Sequence, residues 1–371
     1  MSYAPALGGR PWRMKTVSLW PISAFWPNRH ARNHPMASCF LYRRRDFITL
    51  LGGATTWPLA ARAQQGERMR LIGVLMGFAE HDPAGQSQLA AFRGALSKLG
   101  WTEGSNLRIE LRWGAADPDR TKTLAKELVD LRPDAILGQT TLATSALAGE
   151  TRTIPIVFAV VADPIGNGFI ASLARPGGNL TGFTALDTEL GGKWVGLLKE
   201  VAPRTERVAL LFNPATAMPF QFLMPSIQAA ASSFAVKVSA APVRVKDEIE
   251  VVIAEQARTP GGGLIVMPDV FNTNNRDLII ALAAHYAIPA MYFNPTYFAG
   301  SGGLIGYSDD YEEESRLAAG YIDRILKGEK PADLPVQNPT KYQLIINLKT
   351  AKALGLTVPP SLLATADEVI E

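Results

Sequence analysis

Short β-rich runs alternate with longer amphipathic stretches along this chain from residue 69 onward, and this alternation restricts the possible folds more than any other feature. The run from Met69 to Met76 indicates a buried strand. The stretch from Gln86 to Leu99 indicates a helix, because its apolar residues recur at spacings of three and four and Gly100 follows as a stop signal. Because such alternation is typical of βαβ units, the sequence predicts an α/β fold built on parallel sheets.

The alternation runs through two successive series of similar length, and 371 residues are enough for two hydrophobic cores. The helix-breaking cluster Arg175–Asn179 is a candidate linker between the two units. The stretch Pro331–Pro339 holds three prolines and is interpreted as a further crossing between them. Two units joined by several crossings form a hinge, and a cleft between domains is the usual place for a small-molecule site.

The charge distribution argues against a nucleic-acid partner. The formal net charge is +3, but the first 63 residues hold nine of the 37 basic residues and one of the 34 acidic ones, which leaves the remainder near −5. Cys39, the only cysteine, lies in that same segment, so the rest of the chain has no thiol nucleophile or thiolate metal ligand. No nucleotide-binding, serine-hydrolase or zinc-protease motif occurs, and we expect no cofactor and no metal.

The N-terminal segment has the three parts of an export signal. Arg43–Arg45 is a basic start, Phe47–Leu59 is an apolar stretch too short to span a bilayer, and Ala61–Ala63 is a small-x-small cleavage pattern. We expect cleavage after Ala63 and a periplasmic product. The arginine pair resembles the twin-arginine export signal, the Sec route stays open, and translation could start at Met1 or at Met36.

Four segments resemble the ABC transporter substrate-binding proteins of the tryptophan/tyrosine type, and the resemblance covers residues 43–371. They are the leader RRRDFITLLGGA, Thr153–Gly166, Leu173–Gly182 and Leu334–Ile370. The resemblance implies a type I periplasmic-binding-protein fold, with two Rossmann-like lobes joined by a three-segment hinge, and no catalytic activity. It also implies a small solute, which in members of the family is an aromatic or other amino acid. The partner that it implies is an ABC permease subunit in the inner membrane. We expect a monomer.

With that fold, the chain divides into three parts. We expect an N-terminal extension with its signal peptide at 1–63, a first lobe of 64–182 and 301–334, and a second lobe of 183–300 and 335–371.

In open α/β sheets ligands bind outside the carboxyl ends of the strands, so the loops after strands supply the candidate binding residues. In the first lobe these are Phe78, Thr140, Thr141 and Asp163. Thr140 and Thr141 come just before a helix, where they could hold a ligand carboxylate or serve only as caps. Asp163 could accept a hydrogen bond from a ligand ammonium or start a turn. Phe78 could stack on a ring or belong to the core.

The second lobe offers Asn213, Asp269 and Asn294, and the segment 301–334 adds Tyr307 and Asp310. Asp269 is the best candidate for an ammonium partner, because a carboxylate at a strand end in a cleft can pair with a desolvated cation; the alternative is a solvated turn. Tyr307 and Asp310 lie in GYSDDY, which resembles a family segment where the chain returns to the first lobe. Asp310 could equally cap the helix that follows. Four aromatic residues could form the wall for a ligand ring: Phe78, Phe271, Tyr292 and Phe293.

Two other functions stay open at this point. A sensor protein of the same fold would have a similar sequence, because ligand-driven closure is common to both roles. An exported α/β enzyme is the other alternative, and the lack of catalytic motifs argues against it.

Overall fold

The computed structural model describes residues 68–185 and 187–371. The expected signal peptide, its cleavage after Ala63, the alternative start at Met36 and the cysteine Cys39 all lie outside the described residues. No helix in the described ranges combines the length and the apolar character of a membrane span.

The first sheet has five parallel strands in the order β2-β1-β3-β4-β5. These strands are β1 Arg70–Met76, β2 Leu107–Trp113, β3 Ala135–Gln139, β4 Ile156–Val161 and β5 Leu180–Thr184. Strands β1, β3 and β4 consist almost entirely of apolar residues because helices cover both faces of a parallel sheet. The helices between them are α1 Pro83–Lys98, α2 Pro118–Asp130 and α3 Thr141–Glu150.

The second sheet has seven strands in the order β12-β11-β10-β9-β8-β6-β7, and only the β10–β11 pair is antiparallel. Its strands are β6 Arg207–Phe212, β7 Lys237–Pro242, β8 Gly262–Val266, β9 Ala290–Tyr292, β10 Ile305–Asp309, β11 Tyr342–Asn347 and β12 Glu368–Ile370. The helices that follow in the chain are α4 Leu190–Val201, α5 Phe220–Ser233, α6 Asp247–Ala257, α7 Val270–Asn274, α8 Arg276–His285, α9 Tyr311–Leu326, α10 Leu348–Ala353 and α11 Pro360–Leu363. A π-helical turn covers Pro295–Ala299, and a 3₁₀ turn covers Pro331–Asp333.

The two sheets are built around separate cores. Phe92 of α1 and Ile322 of α9 are fully buried with the strands of the first sheet. Trp194 of α4 is fully buried with the second sheet, and its indole Nε1 donates a hydrogen bond to the Tyr307 carbonyl at 2.7 Å. The structure therefore has the predicted α/β class, with parallel strands in both sheets.

The chain crosses between the lobes at three places: between β5 and α4, between β10 and α9, and between the 3₁₀ turn at Pro331–Asp333 and β11. The cluster Arg175–Asn179, which we expected to be the first linker, is instead a turn within the first lobe. The Asn179 amide donates to the Ile154 carbonyl at 2.7 Å, and β5 follows and pairs with β4. The crossing comes after β5, a strand that the sequence analysis did not predict.

The expected placement of 301–334 in one lobe does not match the strand pairing. Strand β10 pairs with β9 and β11, so this part of the segment belongs to the second sheet. Helix α9 then packs against α1 and β4 of the first lobe. The chain leaves the second lobe one strand later than expected, because Ile305 continues the apolar ladder next to Met291 of β9.

Candidate ligand-binding site

The carboxyl ends of the central strands of both sheets face one cavity between the lobes. The empty space between the lobes is about 540 Å³, a figure that includes the open mouth of the cavity. The cavity is lined by Phe78, Thr140, Thr141, Leu142, Val160, Ala162, Ala185, Thr216, Pro219, Pro268, Asp269, Val270, Thr273, Phe293, Asn294 and Tyr311. Most of this lining is apolar, and Asp269 is the one carboxylate among these residues.

The first-lobe wall is the start of helix α3. Thr140 is the N-cap: its Oγ1 accepts a hydrogen bond from the Ala143 amide at 3.4 Å. The Thr141 Oγ1 accepts one from the Ala162 amide at 3.1 Å. Thr140 therefore caps the helix and lines the cavity at once, and Thr141 lines the cavity while it binds the Ala162 amide. The hydroxyl hydrogens of both residues can still donate to a ligand. The first backbone N–H groups of a helix favour an anion at this point.

Two cavity residues have a strained backbone. Thr140 has a φ of 86° and Val160 a φ of 56°, although neither is glycine. A β-branched residue in the left-handed region is a genuine outlier, and such strain is concentrated at functional sites. The loop ends that form this wall are thus held in a defined shape by the structure around them.

Asp269 provides the second-lobe wall and is buried, not solvated. Its Oδ2 accepts from the Asn213 amide at 2.7 Å, while Oδ1 accepts from the Thr216 hydroxyl at 2.5 Å and the Phe271 amide at 2.9 Å. Desolvation by burial raises the pKa of Asp269 to about 6, even though these three hydrogen bonds act in the opposite direction. A cation that enters the cavity would pair with a carboxylate that has lost most of its water.

The remaining second-lobe candidates lie at or near this wall. The Asn294 Oδ1 caps the π-helical turn by accepting from the Tyr297 amide at 3.2 Å, and Asn294 lines the cavity. Asn213 supports Asp269 through its backbone but lines a separate outer concavity together with Arg244 and Phe271. Thr216 lines both spaces.

Besides Asn213, three of the expected binding residues do not line the cavity. Asp163 closes a turn by accepting from the Gly166 amide at 2.8 Å and faces a different pocket. Tyr307 stacks on Tyr342, with ring centroids 5.8 Å apart. Asp310 caps α9 and pairs with Lys341 at 2.9 Å. The capping or turn alternative accounts for Asp163 and Asp310, and packing accounts for Tyr307.

The four aromatic candidates lie in different places, and the cavity is also lined by residues that were not predicted. Phe78 and Phe293 line the cavity, Tyr292 is fully buried in the core, and Phe271 faces the outer concavity. Among the additions are Val160, Thr216, Thr273 and Tyr311. Thr216 could have been found, because it lies in the loop after β6 where ligand contacts are expected.

An ion pair joins the two lobes beside the cavity. The Arg276 Nη1 of the second lobe lies 2.5 Å from the Asp82 Oδ2 of the first, and their side chains are only 12% and 6% exposed. The same nitrogen donates to the carbonyl of Thr273, which lines the cavity. Nearby, the Tyr297 hydroxyl donates to Glu312 of α9 at 2.8 Å.

Within the described ranges, no group of three or more His, Cys, Asp or Glu residues is arranged to hold a metal ion.

Comparisons with known proteins agree with this architecture. A conserved domain protein from Vibrio cholerae is 26% identical, with a TM-score of 0.76, and the match covers 81% of this chain and all of that one. An ABC domain from Streptococcus pneumonia, solved in complex with L-Trp, is 25% identical with a TM-score of 0.75 over the same shares of the two chains. The predicted two-lobe, type I periplasmic-binding-protein fold is confirmed.

The sequence relatives give the same result. A tyrosine-binding protein from Clostridioides difficile is 25% identical over 301 residues, which is 78% of this chain and 82% of that protein. The family model for ABC transporter substrate binding proteins matches residues 72–370. The cavity between two hinged lobes, the fold and this match confirm the predicted family: the chain belongs to the ABC transporter substrate-binding proteins.

Proposed function

We propose that this protein binds an aromatic amino acid between its lobes and delivers it to the permease of an ABC importer. The observation that carries the proposal is the cavity itself, in which a buried carboxylate and the start of a helix line one largely apolar space. These are the groups that an ammonium, a carboxylate and a ring require. The names of two similar proteins, a tyrosine-binding protein and a domain bound to L-Trp, support this class of ligand.

Each part of the ligand has a proposed partner. The ammonium group pairs with Asp269, whose Oδ2 has a single protein donor and can accept a second hydrogen bond. The carboxylate binds at the start of α3, near Thr140 and Thr141. The ring packs against Phe78 and Phe293. Asn294 provides a further polar contact.

Binding by closure follows from the three crossings. A ligand that contacts α3 in one lobe and Asp269 in the other stabilises the closed arrangement of the lobes. The Asp82–Arg276 pair further stabilises the closed arrangement of the lobes.

We infer that the protein carries its solute without chemical change and acts as a monomer. Its family works with a membrane transporter and is generally extracytoplasmic, and we propose export by the twin-arginine route with cleavage after Ala63.

The proposal is tested by calorimetric titration of the exported protein with L-tryptophan, L-tyrosine and L-phenylalanine, with L-glutamate and L-leucine as controls. We expect the aromatic amino acids to bind and to raise the melting temperature, since a ligand at a hundred times its Kd stabilises the folded state by about 2.7 kcal/mol. Asp269→Asn should weaken binding, and the matched variant Asp163→Asn should not. Failure of all three aromatic amino acids to bind would contradict the proposed ligand class.

A further inference from the structure

A pair of buried acidic side chains lies where the chain passes from the second lobe to the first. Asp309 ends strand β10, and Glu314 belongs to the first turn of α9; each is only 3% exposed. The Asp309 side chain adds to the effect of burial in raising the pKa of the Glu314 carboxyl, both through its charge and through a hydrogen bond between the two acids. A carboxylate has no proton to donate, so this bond exists only if one proton is shared between the two acids.

Glu314 also reaches the wall of the cavity. Its Oε2 accepts a hydrogen bond from the Val160 amide at 2.9 Å, and Val160 is the cavity residue with a left-handed backbone. Tyr311, which lines the same cavity, lies three residues before Glu314 at the start of α9. Glu314 therefore connects a strained loop of the first lobe to the crossing and to the ligand space.

We propose that Glu314 is a positioning residue for ligand binding, which shares a proton with Asp309 and holds Val160 and Tyr311 as one wall of the cavity. This inference rests on the proposed function. An apolar side chain at 314 would fill the space but leave the buried Val160 N–H without an acceptor, and a buried unpaired donor is costly. The strained loop would then lose the bond that holds it.

The surroundings of the pair favour the shared proton. The other titratable groups that interact with the pair are Asp310, Tyr311 and Tyr342. Lys341 and Arg316 both pair with Asp310. Strands β3, β4 and β5 beneath α9 carry no titratable residue, and α1 contributes only Arg93 and Lys98, which are exposed. Burial, followed by the charge of Asp309, raises the pKa of Glu314 well above its usual range.

Two substitutions test the proposal. Glu314→Gln keeps an acceptor for the Val160 amide and donates its NH₂ to an ionised Asp309, whereas Glu314→Leu removes both bonds. With L-tryptophan and L-tyrosine as probes, we expect Glu314→Gln to bind within about threefold of the wild type and Glu314→Leu to bind about tenfold to a hundredfold more weakly. Titration is performed well below the melting temperature of each variant, so that lost stability does not appear as lost affinity.

A second measurement requires no ligand. An acid whose pKa is raised by folding stabilises the protein at low pH, and this stability is lost as the pH rises through the folded-state pKa. The melting temperature of the wild type should therefore fall more than that of Glu314→Gln between mildly acidic and alkaline pH. Asp269 titrates equally in both proteins, so its contribution cancels in the comparison.

The outcomes separate the two proposals. Unchanged affinity in Glu314→Leu overturns the positioning role, and parallel melting curves for the wild type and Glu314→Gln overturn the shared proton. If the wild type binds neither probe, the proposed ligand class fails. In that case the pH dependence of the melting temperature still tests whether the two acids share a proton. The affinity of Glu314→Leu is then measured for whichever solute stabilises the wild type, and this measurement tests the positioning role.

Discussion

Asp82→Asn tests whether the ion pair across the cleft contributes to binding. Asp82 has two roles in the closed protein: its Oδ1 accepts from the Ala84 amide at 2.8 Å as the cap of α1, and its Oδ2 pairs with Arg276. Asparagine is an equally good cap, so the substitution removes the charge and keeps the helix. The effect then reports on the contact between lobes.

The size of the effect follows from the burial of the pair. A hydrogen bond to a charged group contributes about 1.5–3 kcal/mol and a neutral one about 0.5–1.5 kcal/mol, so the closed state should lose about 1–2 kcal/mol. Opening returns both side chains to water, and the loss therefore falls on the closed state alone. Because binding includes closure, the Kd for the solute should rise about five- to thirtyfold.

Calorimetric titration measures this change directly, and Asp277→Asn is the matched control. Asp277 also lies near Arg276, at 3.7 Å, but it is on the same helix and 85% exposed. Its substitution should change the Kd by less than about twofold, as for an exposed pair. If Asp82→Asn behaved like this control, the reasoning about the buried pair would be refuted.

Three further predictions concern the cavity and the core. Affinity for an amino acid should fall as the pH drops below about 6, because protonation of Asp269 removes the negative charge that pairs with the ammonium group. Asp269→Asn should bind weakly and without this pH dependence. Calorimetric titration of both proteins across this pH range measures the difference. Thr140→Gly should raise the melting temperature, because it releases about 1–3 kcal/mol of backbone strain at a φ of 86° and glycine caps a helix almost as well as threonine. The same variant should bind the solute more weakly, because it lacks the hydroxyl. A melting temperature equal to or below that of the wild type would contradict the strain. Trp194→Phe should lower the free energy of unfolding, measured by urea denaturation, by about 2–4 kcal/mol. The substitution leaves the Tyr307 carbonyl without its donor and opens a void in the core. A loss well below this range would mean that the core repacks around the smaller side chain.

Most of the fold could be predicted from periodicity alone. Strand β1 begins one residue after the start of the predicted strand and ends with it, and α1 begins three residues before the predicted helix and ends one residue before it. Strand β5, with the sequence LTGFT, was missed because it is short, holds a glycine and follows a cluster of helix breakers. Strand β11 was missed as well, and its pairing with β10 explains why the lobe boundary near residue 301 was misplaced.

The site was predicted in part. Phe78, Thr140, Thr141, Asp269 and Asn294 come together because the rule that ligands bind at strand ends applies to both sheets. Thr140 both caps its helix and lines the cavity, whereas Thr141 lines the cavity without capping the helix. Sequence alone could not separate Asp310, a cap paired with a lysine, from a ligand contact, because both need a carboxylate after a strand.

Other features of the site depend on contacts that local sequence does not show. Glu314 and Val160 are 154 residues apart, and their hydrogen bond exists only once the chain has returned to the first lobe. No local signal predicts the left-handed backbone of Val160, since valine disfavours this conformation. The Asp82–Arg276 pair likewise joins two helices that are far apart in the sequence.

A crystal structure of the exported protein grown with L-tryptophan tests the central claim most directly. We predict density for the ligand between the lobes, with its ammonium group at hydrogen-bond distance from Asp269 and its carboxylate at the start of α3. Density in the outer concavity beside Arg244, or in the pocket beside Asp163, with an empty cavity between the lobes, would contradict the assignment of the binding site.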